Sequence, residues 1–317
     1  MIYHFSLPNW QQNYLKNSLT GPNIAFNESI QEIDLSKIAD AQVVTVFIQD
    51  RISADIISKL SNLKLIVTRS TGFDHIDLEA AKNHNILVEN VPGYGSNTVA
   101  EHGFALLLAL AKNITQINQK TKMQNFEYLD YLGVDLHQKT IGIIGSGRIG
   151  KNMIQIAKGF GMEVLVYDVI KDDFLAESLG FKYVELDFLL QNSGVLSLHL
   201  PLLPDTKHIL NQAKLKLVKK DSFLINVARG ELISNLNLAW ALDQNIFQGV
   251  GLDTLEDEKE MFASGANELQ LKILNDQRVI YTPHNAYYTK EAVQRILDTT
   301  VQNIIDFSKG NYVNIVK

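Results

Sequence analysis

The stretch Thr140 to Gly150, TIGIIGSGRIG, restricts the chain more than any other. The apolar run Ile141 to Ile144 has strand length and leads into Gly145, Gly147 and Gly150, and Lys151 to Phe160 has helical character. Eighteen residues beyond Gly150 stands Asp168, at the end of EVLVYD. Glycine spacing alone would equally describe a loop that binds nothing. Strand, turn, helix and spaced acid together describe the phosphate-binding unit of a dinucleotide fold. Gly145 allows the turn, Gly147 lets the backbone approach a pyrophosphate, and Gly150 lets helix and strand pack closely. The helix start then offers unpaired N–H groups to the phosphates.

That unit begins near residue 140, so a domain precedes it. From Met1 to Val88, apolar runs (Ile2 to Phe5, Ile24 to Phe26, Val43 to Ile48, Leu65 to Val67, Ile86 to Val88) alternate with polar, helix-compatible stretches. Asp77 is placed to cap a helix over Leu78 to Asn83. After the glycine unit the alternation resumes at Val164 to Tyr167, Val195 to Leu200, Phe223 to Val227, Val250 to Leu252 and Val279 to Tyr281. Two such sets predict an α/β protein with two doubly wound parallel sheets. Between them, VPGYGSNTVAEHGFALLLALAKNI reads as a loop and then a helix from Asn97 or Thr98. Its run Phe104 to Ala111 is apolar on every face, which predicts burial all round, either in one core or between domains or subunits. From Tyr288 to Lys317 the tail reads as one amphipathic helix, with Ile296, Thr300, Ile304 and Phe307 on one face, followed by a short strand-like end expected to return to the first domain.

Composition removes whole classes of function. At 317 residues and 46% hydrophobic content, two cores are expected. The net charge is −6 with no Lys/Arg run, which argues against nucleic acid. There is no cysteine, hence no thiolate metal site or thiol nucleophile, and no metal is expected. The start MIYHFSLPNW lacks the features of a signal peptide and no apolar run spans a bilayer, so no membrane partner and a cytoplasmic location are expected.

Three segments place a polar residue just past an apolar strand: LINVARGELIS with Arg229, GVGLDTLEDE with Asp253 and Glu258, and VIYTPHNAYYT with His284. Strand ends of one parallel sheet face one crevice, so an arginine, carboxylates and a histidine can converge there. Singly, each is as well explained as a solvated turn arginine, a charge in an EDEKE run, or a satisfied core histidine. The loop RSTGFDH also follows a strand, which makes Thr71 and Gly72 candidates for backbone contacts to a ligand.

With RSTGFDHIDLEAAK, NVPGYGSNTVAEH, IGIIGSGRIG plus Asp168, SLHLPLLPDTKHIL, INVARGELIS, GLDTLEDE and TPHNAYYT in this order, the chain resembles the D-isomer-specific 2-hydroxyacid dehydrogenase family along nearly its whole length, most closely the D-lactate dehydrogenase branch. The resemblance implies a flavodoxin-like substrate domain from residues 1–99 plus 287–317 and a Rossmann NAD-binding domain from residues 100–286. It implies Arg229, Glu258 and His284 as the catalytic set. His284 would be the acid, Glu258 would orient its ring and favour its charged form, and Arg229 would hold the substrate carboxylate. Thr71, Gly72 and Tyr94 would also contact the substrate. For NAD, the resemblance puts the backbone of Arg148 and Ile149 at the pyrophosphate with Gly145, Gly147 and Gly150, and Asp168 on the adenosine ribose. Leu200, Pro201 and Thr206 would lie near the adenine, Val227 and Ala228 beside the nicotinamide, and Asp253 at its carboxamide. Val169 and Ile170 after Asp168 leave a 2′-phosphate uncompensated, which favours NAD over NADP, with Lys171 nearby as the one basic group. Gly194 and Asn285 depart from the family's common residues without removing a catalytic role.

The expected function is interconversion of a small 2-keto acid and its D-2-hydroxy acid, with pyruvate and D-lactate as the pair, in a homodimer. Glyoxylate or hydroxypyruvate reduction is the alternative within the class. A corepressor that senses NAD(H) through the same fold is the alternative outside it.

Overall fold

The computed structural model describes residues 1–316; Lys317, the last residue of the expected tail, lies outside them. The chain divides into two compact units, Met1–Tyr94 together with the chain from Thr289 onward, and Gly95–Tyr288.

The first unit is built on β1 (Ile2–His4), β2 (Asn23–Ala25), β3 (Val43–Val46), β4 (Leu65–Thr68) and β5 (Leu87–Glu89), all parallel in the order β2-β1-β3-β4-β5. This is the flavodoxin-like order. β3 and β4 are buried at every position, as strands covered on both faces must be. One face carries Val44, Val46, Ile66 and Val88 with Ile38, Ile57 and Ala81. The other carries Val43, Leu65 and Val67 with Ile304 of the last helix.

That helix, Lys290–Ser308, starts at Thr289, whose side chain accepts from Ala292 N, and buries Val293, Ile296, Leu297, Thr300 and Ile304. Leu297 and Val293 also pack with Leu7 and Leu15. Beyond the helix, Ile315 forms an antiparallel bridge to Glu89. The Leu78–Asn83 helix is capped by Asp77, which accepts from Ala80 N at 2.9 Å.

The second unit contains β6 (Thr140–Ile144), β7 (Glu163–Tyr167), β8 (Lys182–Tyr183), β9 (Val195–Leu198), β10 (Ser222–Asn226), β11 (Phe247–Leu252) and β12 (Val279–Tyr281). All are parallel, in the order β12-β11-β10-β9-β6-β7-β8. The strand order reverses between β6 and β9, the place where open α/β sheets bind ligands. Successive side chains serve opposite cores: Phe223, Ile225 and Val227 pack with the Ser96–Ala111 and Arg148–Gly159 helices, while Leu224 joins Leu189, Leu238 and Leu242 on the far side.

The Ser96–Ala111 helix begins one residue earlier than expected, with Gly95 as its N-cap, and within the single chain it is covered on one side. Phe104, Leu106, Leu107 and Leu110 are covered, but Glu101 and Ala105 are exposed and Leu108 and Ala109 half-buried, because only one side meets the sheet. The two-residue edge strand β8 had no apolar run to announce it.

Glu89 is an exception to the apolar core: it is fully buried at the end of β5. Burial, with added repulsion from Asp306, pushes its carboxyl from the ordinary 4.5 up to about 7. The Val313 backbone approaches it without forming a well-aligned hydrogen bond, so desolvation dominates. An acid raised on folding keeps its proton in the folded chain after the unfolded chain has released it. Stability contributed by this group therefore falls as pH rises from 4.5 to about 7. Glu89→Gln should match the parent at pH 4.5 and exceed it by on the order of 2–3 kcal/mol at pH 8. Thermal unfolding at the two pH values checks this; an equal gap at both would show that Glu89 does not titrate as described.

Candidate functional site

The residues named from the glycine unit lie together at the C-terminal end of β6. Gly145 has φ +103°, and a Cβ there would meet the backbone of His199 at 2.8 Å. A Cβ on Gly150 would lie 2.0 Å from Gly145 O, so helix and turn can pack only with glycine at 150. The Arg148–Gly159 helix starts at Gly147 with no side-chain cap and no acid in its first turn. Its leading N–H groups, those of Arg148 and Ile149 included, thus have neither an intrahelical acceptor nor a capping oxygen. Such a helix start suits a pyrophosphate by hydrogen bonding and by dipole.

Asp168, just beyond β7, is held from three sides. Its Oδ2 accepts from Ser146 N at 2.6 Å and Ser146 Oγ at 2.9 Å, and its Oδ1 from Ile170 N at 3.0 Å. Lys171 lies 3.4 Å from Glu185, so the nearby basic group is engaged elsewhere. Leu200 is buried and Pro201 exposed; Thr206 Oγ1 donates to Pro201 O at 2.6 Å and accepts from Leu203 N, closing the loop between them. His199 is half-buried, its Nε2 2.9 Å from Ser197 Oγ, and desolvation pushes it down to about 3, so it is a neutral side chain behind the turn.

The second cluster follows β10, β11 and β12, whose ends are in register: Asn226 beside Leu252 beside Tyr281. Asn226 shapes the turn after β10, accepting from Ala228 N at 3.1 Å and donating to Arg229 O at 2.8 Å. Val227 is buried against Gly103, Ala228 is half-buried, and Arg229 donates through NH1 to Ala228 O. A Cβ on Gly230 would lie 2.1 Å from Leu255 C, so the Arg229 turn presses directly on the segment leading to Glu258. Glu256 anchors that segment: it accepts from Asn235 N at 2.9 Å and pairs with His208 Nε2 at 2.5 Å.

His284 and Glu258 meet, Nδ1 to Oε1, at 2.5 Å. Glu258 Oε2 also accepts from Leu255 N at 3.3 Å. With Nδ1 on the carboxylate, Nε2 is the ring nitrogen left for a reacting group. His284 has φ +51°, an unusual backbone state for a side chain of this kind. Asp253, 1% exposed, holds it there. Its carbonyl accepts from His284 N at 2.9 Å, and its carboxylate accepts from Asn285 N at 3.0 Å, Ala286 N at 2.9 Å and Thr282 Oγ1 at 2.5 Å. His102 Nε2 contacts the same Thr282 at 2.9 Å. Burial, then the charges of Glu258 and Asp253, push the Tyr281 hydroxyl above its usual range, so it stays protonated beside them.

In the first unit, Thr71 and Gly72 follow β4. Thr71 Oγ1 donates to Val91 O, and Ser70 Oγ donates to Gly72 O at 2.6 Å. Among the described residues neither the Thr71 nor the Gly72 N–H donates to a protein acceptor. Two adjacent free amides past a strand end can receive a carboxylate. Tyr94 is half-buried, and its carbonyl accepts from Arg295 Nε at 2.7 Å. No group of three or more His, Cys, Asp or Glu able to hold a metal, and no helix long and apolar enough to cross a membrane, occurs among the described residues.

Sequence reasoning missed Ser146 and Tyr183 beside Asp168, and Thr282 and His102 around Asp253. Ser146 stands inside the glycine motif, where its side chain could have been weighed against Asp168. His102 and Tyr183 are brought in by tertiary packing and leave no local signal.

The pattern of the family described as "D-isomer specific 2-hydroxyacid dehydrogenase, NAD binding domain" matches residues 104–286. The D-lactate dehydrogenase of Escherichia coli is 32% identical over 96% of both chains. The glyoxylate reductase of Thermococcus litoralis is 33% identical over 87% of this chain and 83% of that one. Among solved structures, the Aquifex aeolicus D-lactate dehydrogenase, determined with NAD and lactic acid, aligns with a TM-score of 0.89 and 36% identity over 98% of this chain and 96% of that one. Likeness of this extent, on a dinucleotide turn that suits its ligand, makes the protein a member of the D-isomer-specific 2-hydroxyacid dehydrogenases, a family of NAD-dependent enzymes.

Proposed function

We propose that the enzyme interconverts pyruvate and D-lactate. The observation that carries this reading is the 2.5 Å contact between His284 and Glu258 beside the Arg229 turn. NAD supplies or removes the hydride at the substrate's C2. The protein's own part is to move a proton and hold charge. In reduction His284, protonated, delivers its Nε2 proton to the keto oxygen and leaves as neutral imidazole; in oxidation it takes that proton back. Glu258 fixes the ring plane and leaves Nε2 toward the substrate. Arg229 offers a planar fork suited to a carboxylate. In the first unit, Thr71 and Gly72 would offer their free amides to a substrate carboxylate, and Tyr94 would contact the substrate.

In the cofactor site, Arg148 and Ile149 receive the pyrophosphate at the turn of Gly145, Gly147 and Gly150, with Asp168 on the ribose. Leu200, Pro201 and Thr206 line the adenine side. Val227 and Ala228 flank the nicotinamide, and Asp253 takes its carboxamide with the carboxylate position its three donors leave open.

The likeness to D-lactate dehydrogenases of two bacteria supports pyruvate, and the comparable likeness to a glyoxylate reductase supports glyoxylate as the second reading. Oxidation of NADH with pyruvate, glyoxylate, hydroxypyruvate and branched 2-keto acids separates them. The highest kcat/KM is expected with pyruvate, and a preference for glyoxylate would replace the first reading with the second.

Glu258→Gln should lower the reduction rate by about tenfold or more with little change in KM, because the ring loses the carboxylate that orients its Nδ1. An unchanged kcat would remove Glu258 from the proton step.

We also propose a homodimer. Between Ile114 and Leu132 six large apolar side chains stand uncovered, among them Leu129 and Leu132 at 84% and 91% exposure. They follow directly on the helix that leaves Ala105 open. Such a concentration marks a surface that another chain covers. Phe126→Asp with Leu129→Asp should convert the dimer to monomer in sedimentation; a monomeric parent protein would overturn the proposal.

A further inference from the structure

Asp168 has more donors than a ribose-binding carboxylate can keep. An ionised carboxylate offers about four acceptor positions. Three are occupied, by Ser146 N, Ser146 Oγ and Ile170 N. One remains, on Oδ1, whereas a ribose diol brings two hydroxyl protons. The two backbone donors are fixed by the chain. Ser146 Oγ is not: it lies 2.9 Å from Asp168 Oδ2 and 3.1 Å from Tyr183 Oη, and it carries a single proton. Ser146 is 6% exposed, which leaves these two partners rather than solvent to take that proton. Tyr183 is kept in place by its edge-strand pairing with Val166 and by edge contact with the Phe181 ring at 5.1 Å.

We propose that Ser146 and Tyr183 form an exchangeable donor pair that guards Asp168. In the free protein, Ser146 donates to Asp168 and Tyr183 donates to Ser146. On binding, the Ser146 side chain swings its hydroxyl off Asp168 Oδ2 and donates to Tyr183 Oη, which frees that acceptor position. Tyr183 turns its own proton outward, so the Ser146–Tyr183 hydrogen bond is kept with its direction reversed and the bond given up to Asp168 is replaced by one from the ribose. Asp168 then accepts both ribose hydroxyls. A 2′-phosphate has no proton to offer the vacated position and adds charge repulsion, so the pair contributes to selection of NAD over NADP. This makes Tyr183 a positioning residue that acts through Ser146, and the proposal rests on the assignment of Asp168 to the ribose.

The test is affinity, not turnover: fluorescence titration of NADH and NADPH with Tyr183→Phe, Ser146→Ala, the double variant and Asp168→Ala. Tyr183→Phe leaves Ser146 no second acceptor, so NADH must displace an uncompensated hydrogen bond. Its Kd should rise about fivefold, with the NADPH Kd little changed. Ser146→Ala removes the competitor, so the double variant should return to within about twofold of Ser146→Ala. A simple packing defect at Tyr183 would persist in the double variant and overturn the exchange, as would an unchanged NADH Kd in Tyr183→Phe. If Asp168→Ala leaves NADH affinity intact, the ribose assignment fails and the exchange falls with it. If Asp168→Ala weakens NADH while Tyr183→Phe does not, the assignment survives and the exchange alone is lost.

Discussion

The carboxylate of Asp253 is the interaction on which the reactive end of the second unit depends. A buried charge is tolerated only when its hydrogen-bonding capacity is met, and here the donors come from the very turn that must be shaped. Asn285 N, Ala286 N and Thr282 Oγ1 converge on it, while His284 N binds the carbonyl of the same residue. The left-handed backbone at His284 is a strained state that persists because these bonds determine the chain on both sides. The imidazole consequently reaches Glu258 through a rigid frame, not through its own flexibility.

Around that frame the sheet does the positioning. β10, β11 and β12 end in register, so three short turns deliver a cation, carboxylates and an imidazole to one edge. Each turn has its own fastener: Asn226 for the Arg229 turn, Glu256 with His208 for the approach to Glu258, Asp253 for His284. Gly230 permits the first two to touch, since any side chain there would strike the backbone of Leu255 and Glu256. The side chains proposed for the chemistry are thus held by others that bond the backbone of the turns, with His208 and Thr282 as side-chain partners.

Much of this was legible in residue order. The glycine spacing located the turn and helix after β6, and alternating apolar runs located eleven of the twelve strands of the described residues, because covered parallel strands read as apolar runs. β8 escaped because an edge strand of two residues needs no such run. Arg229, Glu258 and His284 stood out by following strands, and Glu258 with His284 proved to be in contact. The fasteners were legible only in part. Asp253 stood out by following a strand, but not as the anchor of the His284 turn, and Glu256 drew no reading; their partners His208, Asn235, Thr282 and Ala286 are brought to them only by tertiary packing. For the helix after Gly95, apolarity on all faces states what a surface avoids, not whether the same chain covers it.

The last helix gives the protein an order of assembly. Leu7 and Leu15 at one end of the chain share a cluster with Val293 and Leu297 at the other, and Ile304 closes the face formed by Val43, Leu65 and Val67. During synthesis those N-terminal side chains have no cover until nearly the whole chain has emerged. The second unit, by contrast, is continuous and can bury its own core as soon as it is made. Its folding also brings the two distant segments of the first unit closer, which shortens the loop whose closure the first unit must bear. The nested unit therefore acts as a scaffold in time as well as in space, and a ribosome-bound chain that stops before residue 290 would hold one finished core and one open sheet.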